Sequence, residues 1–308
     1  MLRELWFNPK IEGAELSVNV KAFVRKSVYK PLLWRATPIR LAWAGGEDEE
    51  GNFGDQLGPL LISRIFGVRV KHSGVSAADM VALGSMMEGV EELVTGLHPY
   101  IWGTGFIQPG PDYSGRALRI RAVRGRMTLE RLGSLAPENT ALGDPGLLAN
   151  IAFPEFQSLP KRFKVGLIPH YVDQGDVRVR QFSALSGVRL INVLRPVPEV
   201  LRNISECDLI LSSSLHGLIV SESYGIPNYW IQLGDDVIGG RYKFDDYYST
   251  FGRRARSVDV QRAVASAEEL TRSWQPLPNV PQVQRDLIQA FPGYRTFGSG
   301  VDVRNIGG

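Results

Sequence analysis

The chain has 308 residues, of which 44% are hydrophobic and 22% charged, with a net charge of +3 and a single cysteine. These values indicate a globular protein of two domains, because one domain rarely exceeds roughly 200 residues. They exclude an intrachain disulfide, and no apolar run reaches the ~18 residues of a membrane span. The first residues lack the apolar core of a secretion signal, so a cytoplasmic location is expected.

Positive charge is concentrated between Leu16 and Gly46, a segment with six basic residues and no acid. One interpretation of residues 16–46 is peripheral contact with the anionic inner face of a membrane or with a diphosphate-linked acceptor. A solvated basic face is the other. A second cluster of arginines between Arg116 and Arg131 has no accompanying nucleic-acid-binding motif, so no nucleic acid partner is expected.

Strands alternate with helices along the first half of the chain. Ile39 to Ala44 predicts a strand, and an acidic loop then leads to Asn52 and an apolar helix over Leu60 to Phe66. Further predicted elements are the strands Met80 to Leu83, Tyr100 to Trp102 and Arg119 to Val123, the helix Met127 to Leu132 and the turn Gly143 to Gly146. Short strands that end in glycine or serine indicate a parallel sheet whose carboxyl edge forms a site.

Pro154, Ser158 and Pro160 interrupt this pattern and place a domain boundary between residues 157 and 158. The two predicted domains are therefore 1–157 and 158–308. The second half is predicted to contain the strands Lys164 to Ile168, Val188 to Val193, Leu209 to Leu211 and Tyr229 to Leu233, and the helices Pro198 to Asn203 and Gln282 to Ala290. The last helix fits either domain.

The stretch from Leu209 to Val220 combines a strand, three serines, a histidine and the start of a helix. The serines can cap that helix, and a hydroxyl-rich helix N-terminus attracts anions. His216 in the first turn feels the positive end of the helix dipole, which favours the neutral imidazole. Two interpretations stay open, a plain cap at Ser214 with a structural His216, or an anion-binding site.

Three segments, Asn52 to Asp55, Ser212 to Gly217 and Lys243 to Tyr248, resemble the polysaccharide pyruvyl transferase family. The resemblance covers nearly the whole chain, and supporting pairs occur in the family's order at Gly84-Ser85, Val123-Arg124, Asp144-Pro145 and Ile168 to Tyr171. It implies two Rossmann-like domains facing a cleft, similar to the GT-B glycosyltransferases. It also implies transfer of pyruvate from phosphoenolpyruvate onto two hydroxyls of a sugar, as a cyclic ketal, in a bacterial exopolysaccharide or cell-wall glycan precursor.

One position departs from the family pattern. Many members read Ser-x-Arg-Leu-His-Gly, whereas this chain has Ser214 in place of the arginine. If that arginine helps to hold phosphoenolpyruvate in the relatives, another positive group must do so here, or the donor is held more weakly.

The chemistry implied by the resemblance assigns roles to individual residues. His216 is the candidate acid or phosphate partner and Asp55 the candidate base. Arg124 is the candidate that grips phosphate or carboxylate with two parallel bonds. The other substrate-binding candidates are Asn52, Gly54, Gly84, Ser85, His170, Ser213, Ser214, Leu215 and Gly217.

Structural alternatives stay open for several of these candidates. Arg124 could form a surface salt bridge, His170 could be a plain loop histidine, and Asp55 could close an Asx-type turn that caps a helix. Residues 245–248 follow Gly239-Gly240 and are predicted to form a mobile loop near the cleft, with a plain aromatic patch as the alternative.

No cofactor beyond the donor substrate is expected, and no metal, because no histidine pair shows ligand spacing. The acceptor would be a sugar or a lipid-linked oligosaccharide. Two other functions stay open: a GT-B-type glycosyltransferase that uses a nucleotide sugar, since fold does not determine function, and a catalytically silent binding protein.

Overall fold

The computed structural model describes residues 38–45, 51–92, 98–115, 117–233 and 239–293. Within them, the strands are β1 (Ile39–Ala42), β2 (Val70–His72), β3 (Met80–Ala82), β4 (Tyr100–Trp102), β5 (Arg119–Val123), β6 (Ala141–Leu142), β7 (Phe163–Ile168), β8 (Val188–Leu190), β9 (Cys207–Ser212), β10 (Asn228–Ile231) and β11 (Ser257–Val258). The α-helices are α1 (Phe53–Phe66), α2 (Met87–Glu91), α3 (Arg126–Leu132), α4 (Ala149–Ala152), α5 (Val177–Ser183), α6 (Val197–Ser205), α7 (Leu215–Ser223), α8 (Tyr242–Ser249), α9 (Val260–Ala265), α10 (Ala267–Ser273) and α11 (Val280–Ala290).

The strands form two parallel sheets with the orders β2-β1-β3-β4-β5-β6 and β11-β10-β9-β7-β8. Counted from the first strand of each sheet, both orders begin 2-1-3-4-5, which is a doubly wound arrangement. The winding reverses between β1 and β3 in the first sheet and between β7 and β9 in the second. The predicted α/β class with two parallel-sheet domains is confirmed, and in such sheets ligands bind beyond the carboxyl ends of the strands at the reversal.

Apolar strands explain why the second sheet is parallel. In β9 every residue except Asp208 is buried, and the last four residues of β7 are buried as well. Near-continuous apolar strands of this kind require helices on both faces, as parallel sheets have. The first sheet ends at Leu142 and the second begins at Phe163, and the predicted boundary at residue 157 lies between them.

The two domains share one hydrophobic core. Phe53 and Leu57 of α1 belong to the same buried cluster as Val193 and Val197 of the second domain. The backbone N–H of Phe53 also donates to the carbonyl oxygen of Val193 at 2.7 Å. Helix α1 is therefore packed between the domains, which brings its N-terminus close to both sheets.

The last helix packs against the first domain, which answers the question that the sequence left open. The indole N–H of Trp102 in β4 donates to the carbonyl of Leu287 at 2.8 Å, and the amide of Gln284 donates to the carbonyl of Leu147 at 2.7 Å. The C-terminal end of the described chain thus returns to the N-terminal sheet.

Two predicted elements are wrong. Helix α1 begins at Phe53, seven residues before the predicted start at Leu60, because Asn52 caps it by accepting from the N–H of Gly54. Gly54, Gly58 and Pro59 are poor helix formers and hide this start in the sequence. Residues 245–248, predicted to be a mobile loop, lie within helix α8.

Of the basic segment 16–46, the structure describes only residues 38–45. The acidic loop 47–50 lies outside the described residues. Among the helices that are described, none combines the length and the apolar character needed to cross a bilayer.

Candidate functional site

Predicted site residues from both domains meet where the two sheets present their carboxyl ends. A methyl group placed on Gly54 at the start of α1 would lie 2.0 Å from Nδ1 of His216 in α7. A methyl group on Gly84, just after β3, would lie 3.5 Å from Oδ1 of Asp55 and 4.0 Å from Cε1 of His216. The structure therefore brings together Gly54, Asp55, Gly84 and His216, which the sequence places up to 162 residues apart.

His216 lies in the first turn of α7 with only 8% of its surface exposed. Its Nε2 atom has no hydrogen-bond partner among the described residues and lies 3.8 Å from Oδ2 of Asp144. Burial, together with the positive charges of Lys243 and Arg124, lowers the pKa of His216 to about 3. The imidazole is therefore neutral near pH 7, and an anion bound beside it would favour its protonation.

The serine turn before α7 is held by hydrogen bonds to its neighbours. Ser212 Oγ accepts from the N–H of Ser214 at 3.0 Å. Ser213 Oγ donates to Oδ2 of Asp173 at 2.6 Å and accepts from the N–H of His170 at 2.8 Å. Ser214 occupies the N-cap position, but its side chain makes no capping bond, so its interpretation as a cap is wrong. The first turn of α7 keeps its N–H groups for another acceptor.

Two further residues of this turn have packing roles. Leu215 is buried in a cluster with Leu147 and Phe244, so its side chain anchors the start of α7. A methyl group on Gly217 would lie 2.4 Å from Oγ of Ser212, so only glycine fits against the turn. Both residues shape the site without presenting a polar side chain to a ligand.

The start of α1 supplies a carboxylate and a close backbone approach. The side chain of Asn52 caps α1, so the cap expected as an alternative role for Asp55 belongs to Asn52 instead. Burial raises the pKa of Asp55 to about 6, and the positive charge of Lys243 opposes this increase. Asp55 is thus a carboxyl group that ionises close to neutral pH.

Left-handed backbone shapes the turn after β3. Leu83 has φ of 67° and Gly84 φ of 69°, and this conformation is uncommon for a leucine. The carbonyl of Gly84 accepts from Oγ1 of Thr104 at 3.1 Å, which holds the turn in place. Ser85 Oγ accepts from Nη1 of Arg124 at 2.6 Å. Gly84 faces Asp55 and His216, whereas Ser85 is engaged by the arginine.

Arg124 is fully buried and is bound to protein groups. Its Nε donates to Oδ2 of Asp246 at 2.9 Å, its Nη1 to Ser85, and its Nη2 to the carbonyl of Phe106. This leaves few N–H groups for a bidentate grip on a donor anion. The alternative interpretation of Arg124, an ion pair at the surface, is correct for the ion pair but not for its location, because the pair is buried. The positive charge of Arg124 lowers the pKa of His216.

Lys243 is the site residue that sequence reasoning missed. Its side chain is mostly buried, and its ammonium makes no hydrogen bond or ion pair with any residue that the structure describes. Burial lowers its pKa to about 8, while Asp55 and Asp173 raise it. The same cation lowers the pKa values of His170 and His216. A mostly buried cation that acts on these groups can attract an anion, and its place in a segment that resembles the family was the available signal.

His170 follows β7 and lies on the second-domain side of the site. Its Nδ1 accepts from the N–H of Val172 at 3.5 Å, and its ring packs against Tyr171. Burial and the charge of Lys243 lower its pKa to about 4, so this ring is neutral at pH 7. His170 thus lies close enough to His216 to affect its pKa. It also shapes its own loop, because its side chain accepts from the N–H of Val172. Among the residues that the structure describes, no group of three His, Cys, Asp or Glu side chains is placed to hold a metal ion.

Comparison with known proteins identifies relatives across much of the chain. The family described as polysaccharide pyruvyl transferase matches residues 20–234. The succinoglycan biosynthesis protein ExoV of Rhizobium meliloti (strain 1021) is 27% identical over 259 residues, which is 79% of this chain and 79% of ExoV. The uncharacterized protein L143 of Acanthamoeba polyphaga mimivirus is 33% identical over 158 residues, 49% of this chain and 54% of its own.

A solved structure of an uncharacterized protein from Klebsiella pneumoniae subsp. pneumoniae NTUH-K2044 covers 80% of this chain and 99% of its own. The identity is 13% and the TM-score 0.42, a similarity too low to argue from.

Proposed function

Because the chain belongs to the polysaccharide pyruvyl transferase family, we propose that it transfers pyruvate from phosphoenolpyruvate onto two hydroxyls of a sugar. The product is a cyclic ketal on a bacterial exopolysaccharide or cell-wall glycan precursor. The relation to a succinoglycan biosynthesis protein supports a polysaccharide acceptor. The observation that carries the proposal is the approach of His216 and Asp55 to Gly84, together with the mostly buried cation of Lys243 whose charge acts on both.

The proposed reaction needs no oxidant and no further reactant. The bond between C2 of phosphoenolpyruvate and its phosphate oxygen breaks, and two bonds form from C2 to the sugar oxygens. Of the two hydroxyl protons, one ends on the former methylene carbon, which becomes a methyl group, and the other leaves with phosphate. The site must therefore hold an anion, protonate a carbon and accept hydroxyl protons.

The donor carries a phosphate and a carboxylate, and both require cationic or N–H partners. Lys243 supplies the cation, and the first-turn N–H groups of α7 supply donors that the Ser214 side chain does not cap. In this chain Lys243 compensates for the serine that replaces the family's arginine at position 214. Arg124 contributes at longer range through its charge.

Proton transfer is assigned to His216 and Asp55. His216 is neutral without a ligand, because burial and two cations lower its pKa to about 3. A bound trianionic donor reverses the sign of the local potential and raises the proton affinity of the ring. Asp55, with a pKa raised to about 6, is ionised at pH 7 and accepts a sugar hydroxyl proton. Donor binding therefore prepares the acid while the base is already available.

The test is a mixture of the purified chain, phosphoenolpyruvate and a β-galactoside or another glycoside. Phosphate release together with a mass gain of one ketal on the glycoside is expected. His216→Asn should abolish both signals, whereas His98→Gln should not, because His98 binds the carbonyl of Ala117 away from the site. Turnover only with a nucleotide sugar would replace the proposal with a GT-B-type glycosyltransferase.

A further inference from the structure

Asp144 is a fully buried carboxyl group that no part of the proposed chemistry has used. It follows β6 in the first domain, and its Oδ1 atom accepts from the N–H of Gly146 at 2.8 Å. Its Oδ2 atom has no hydrogen-bond partner among the described residues. The nearest complementary group is Nε2 of His216, 3.8 Å away and likewise without a partner in the described part of the chain.

Two unmatched polar atoms that face each other in the interior are unusual. Most buried polar side-chain atoms are hydrogen-bonded, and leaving one without a partner costs about 1–3 kcal/mol. The separation exceeds a normal hydrogen bond by about 1 Å, and catalytic hydrogen bonds of this kind often tighten when a ligand binds. The two atoms therefore satisfy each other once the ring moves slightly toward the carboxyl group.

We propose that Asp144 is the positioning residue of His216: its Oδ2 atom pairs with Nε2 of the imidazole and directs Nδ1 toward the Gly54-Asp55 end of α1. The inference rests on the proposed function and deepens it by naming the group that orients the acid. Nδ1 already faces Gly54, because a methyl group there would lie 2.0 Å from it. Nε2 thus faces Asp144, and Nδ1 packs against the start of α1.

Several charges surround this pair and set its protonation. Lys243 and Asp246 approach from α8, Arg124 from the end of β5, His170 from the end of β7, and Asp55 from α1. Burial raises the pKa of Asp144 to about 7. The N–H groups of Gly146 and Gly84 and the charge of Arg124 oppose this increase, and Asp246 adds to it.

Asp144→Asn separates positioning from a merely structural role. The N–H of Gly146 must still find an acceptor, so the amide oxygen stays turned toward it and the amide N–H₂ faces Nε2. Nε2 is then forced to accept, and the ring proton moves to Nδ1. At pH 8 we expect His216 to carry its proton on Nε2 in the wild-type chain and on Nδ1 in the variant.

The ring protons are read by ¹⁵N NMR of histidine-labelled protein, which has four histidines, with His216→Gln identifying the signal. Asp176→Asn is the matched control, because Asp176 caps α5 in the same manner by accepting from the N–H of Arg178 at 2.7 Å. This control should leave the His216 signal and kcat unchanged. With phosphoenolpyruvate and acceptor, Asp144→Asn should lower kcat by about 10- to 100-fold with little change in KM, and should shift the kcat pH profile.

The same protonated ring nitrogen in the wild-type chain and Asp144→Asn, with an unchanged pH profile, would overturn the inference. If the variant does not fold, the wild-type spectrum alone decides, since a proton on Nδ1 at pH 8 contradicts the pairing. Absence of turnover with phosphoenolpyruvate would contradict the proposed function instead, and the NMR comparison would still decide the role of Asp144.

Discussion

Arg124 and Asp246 form an ion pair in which neither side chain has any exposed surface, with 2.9 Å between Nε and Oδ2. Thr128 adds two bonds to the same carboxylate, from its N–H at 2.9 Å and its hydroxyl at 2.7 Å. Arg124 and Thr128 belong to the first domain, whereas Asp246 lies in α8, which follows the second sheet's fourth strand. The ion pair therefore attaches α8, and with it Lys243, to the first domain.

Asp246→Asn should destabilise the fold by about 3–5 kcal/mol, because the buried guanidinium of Arg124 loses its counter-charge. Urea unfolding followed by circular dichroism measures the change. Asp245→Asn is the neighbouring control: its partner Arg241 is 56% exposed in its side chain, so the loss should stay under about 1 kcal/mol. An equal decrease in the free energy of unfolding in the two variants would show that the buried ion pair stabilises the fold no more than the exposed one.

Lys243→Met should weaken phosphoenolpyruvate binding by about 10- to 100-fold, the loss expected when one hydrogen bond to a charged group is removed. Because the pKa of Lys243 is lowered to about 8, wild-type binding should also weaken as pH rises above 8. Isothermal titration calorimetry at pH 7 and 9 measures both effects. Lys164→Met removes an exposed lysine and should change neither; affinity retained in Lys243→Met would remove the lysine from the donor site.

Gly54→Ala should lower kcat by about 100-fold, because the added methyl group would collide with the His216 ring and displace it. Gly58→Ala, one turn later in α1, meets its nearest atoms at 3.9 Å and should leave kcat unchanged. That control should also gain roughly 0.5–1 kcal/mol of stability, since alanine is the better helix former. Steady-state kinetics and thermal unfolding of both variants distinguish a steric effect on the site from a general effect on the helix.

Glu222→Gln should become more stable relative to the wild-type chain as the pH rises. Burial raises the pKa of Glu222 from 4.5 to about 7, so the folded state prefers the protonated carboxyl group. The wild-type contribution is complete below pH 4.5 and is lost as the pH rises through 7, whereas glutamine stays neutral throughout. The relative gain between pH 4.5 and 8 should reach about 3 kcal/mol, measured by urea unfolding. A stability difference that is independent of pH would contradict the assigned pKa shift.

Most strands could be predicted because buried parallel strands are short apolar runs that end in glycine or serine. The helix starts were harder. The cap was expected at Asp55, whereas Asn52 provides it. Gly54 and Gly58 weakened the helical signal, although the contact with His216 requires the glycine at position 54. At that position helix propensity favours a residue other than glycine, whereas the contact with His216 requires glycine, and the sequence satisfies the contact.

The site could be predicted in part for a similar reason. His216, Asp55 and Gly84 follow recognisable strand ends, so the topology brings them together. Lys243 approaches from outside those strand–turn–helix units, on helix α8. Asp144 follows the end of β6, but only the fold shows that its carboxyl group faces the histidine. The buried partners of Arg124 were equally invisible, because Asp246 is 122 residues away in the sequence.

The return of α11 to the first sheet has a consequence for biosynthesis. Phe291, just after this helix, stacks on Phe66 at 3.7 Å between ring centroids and contacts the edge of Trp102. A ribosome completes the whole second domain before it adds these residues, so the aromatic face of the N-terminal half stays uncovered during most of translation. The first domain to be synthesised is therefore the last to be finished, and a nascent chain interrupted before Val280 exposes an aggregation-prone surface.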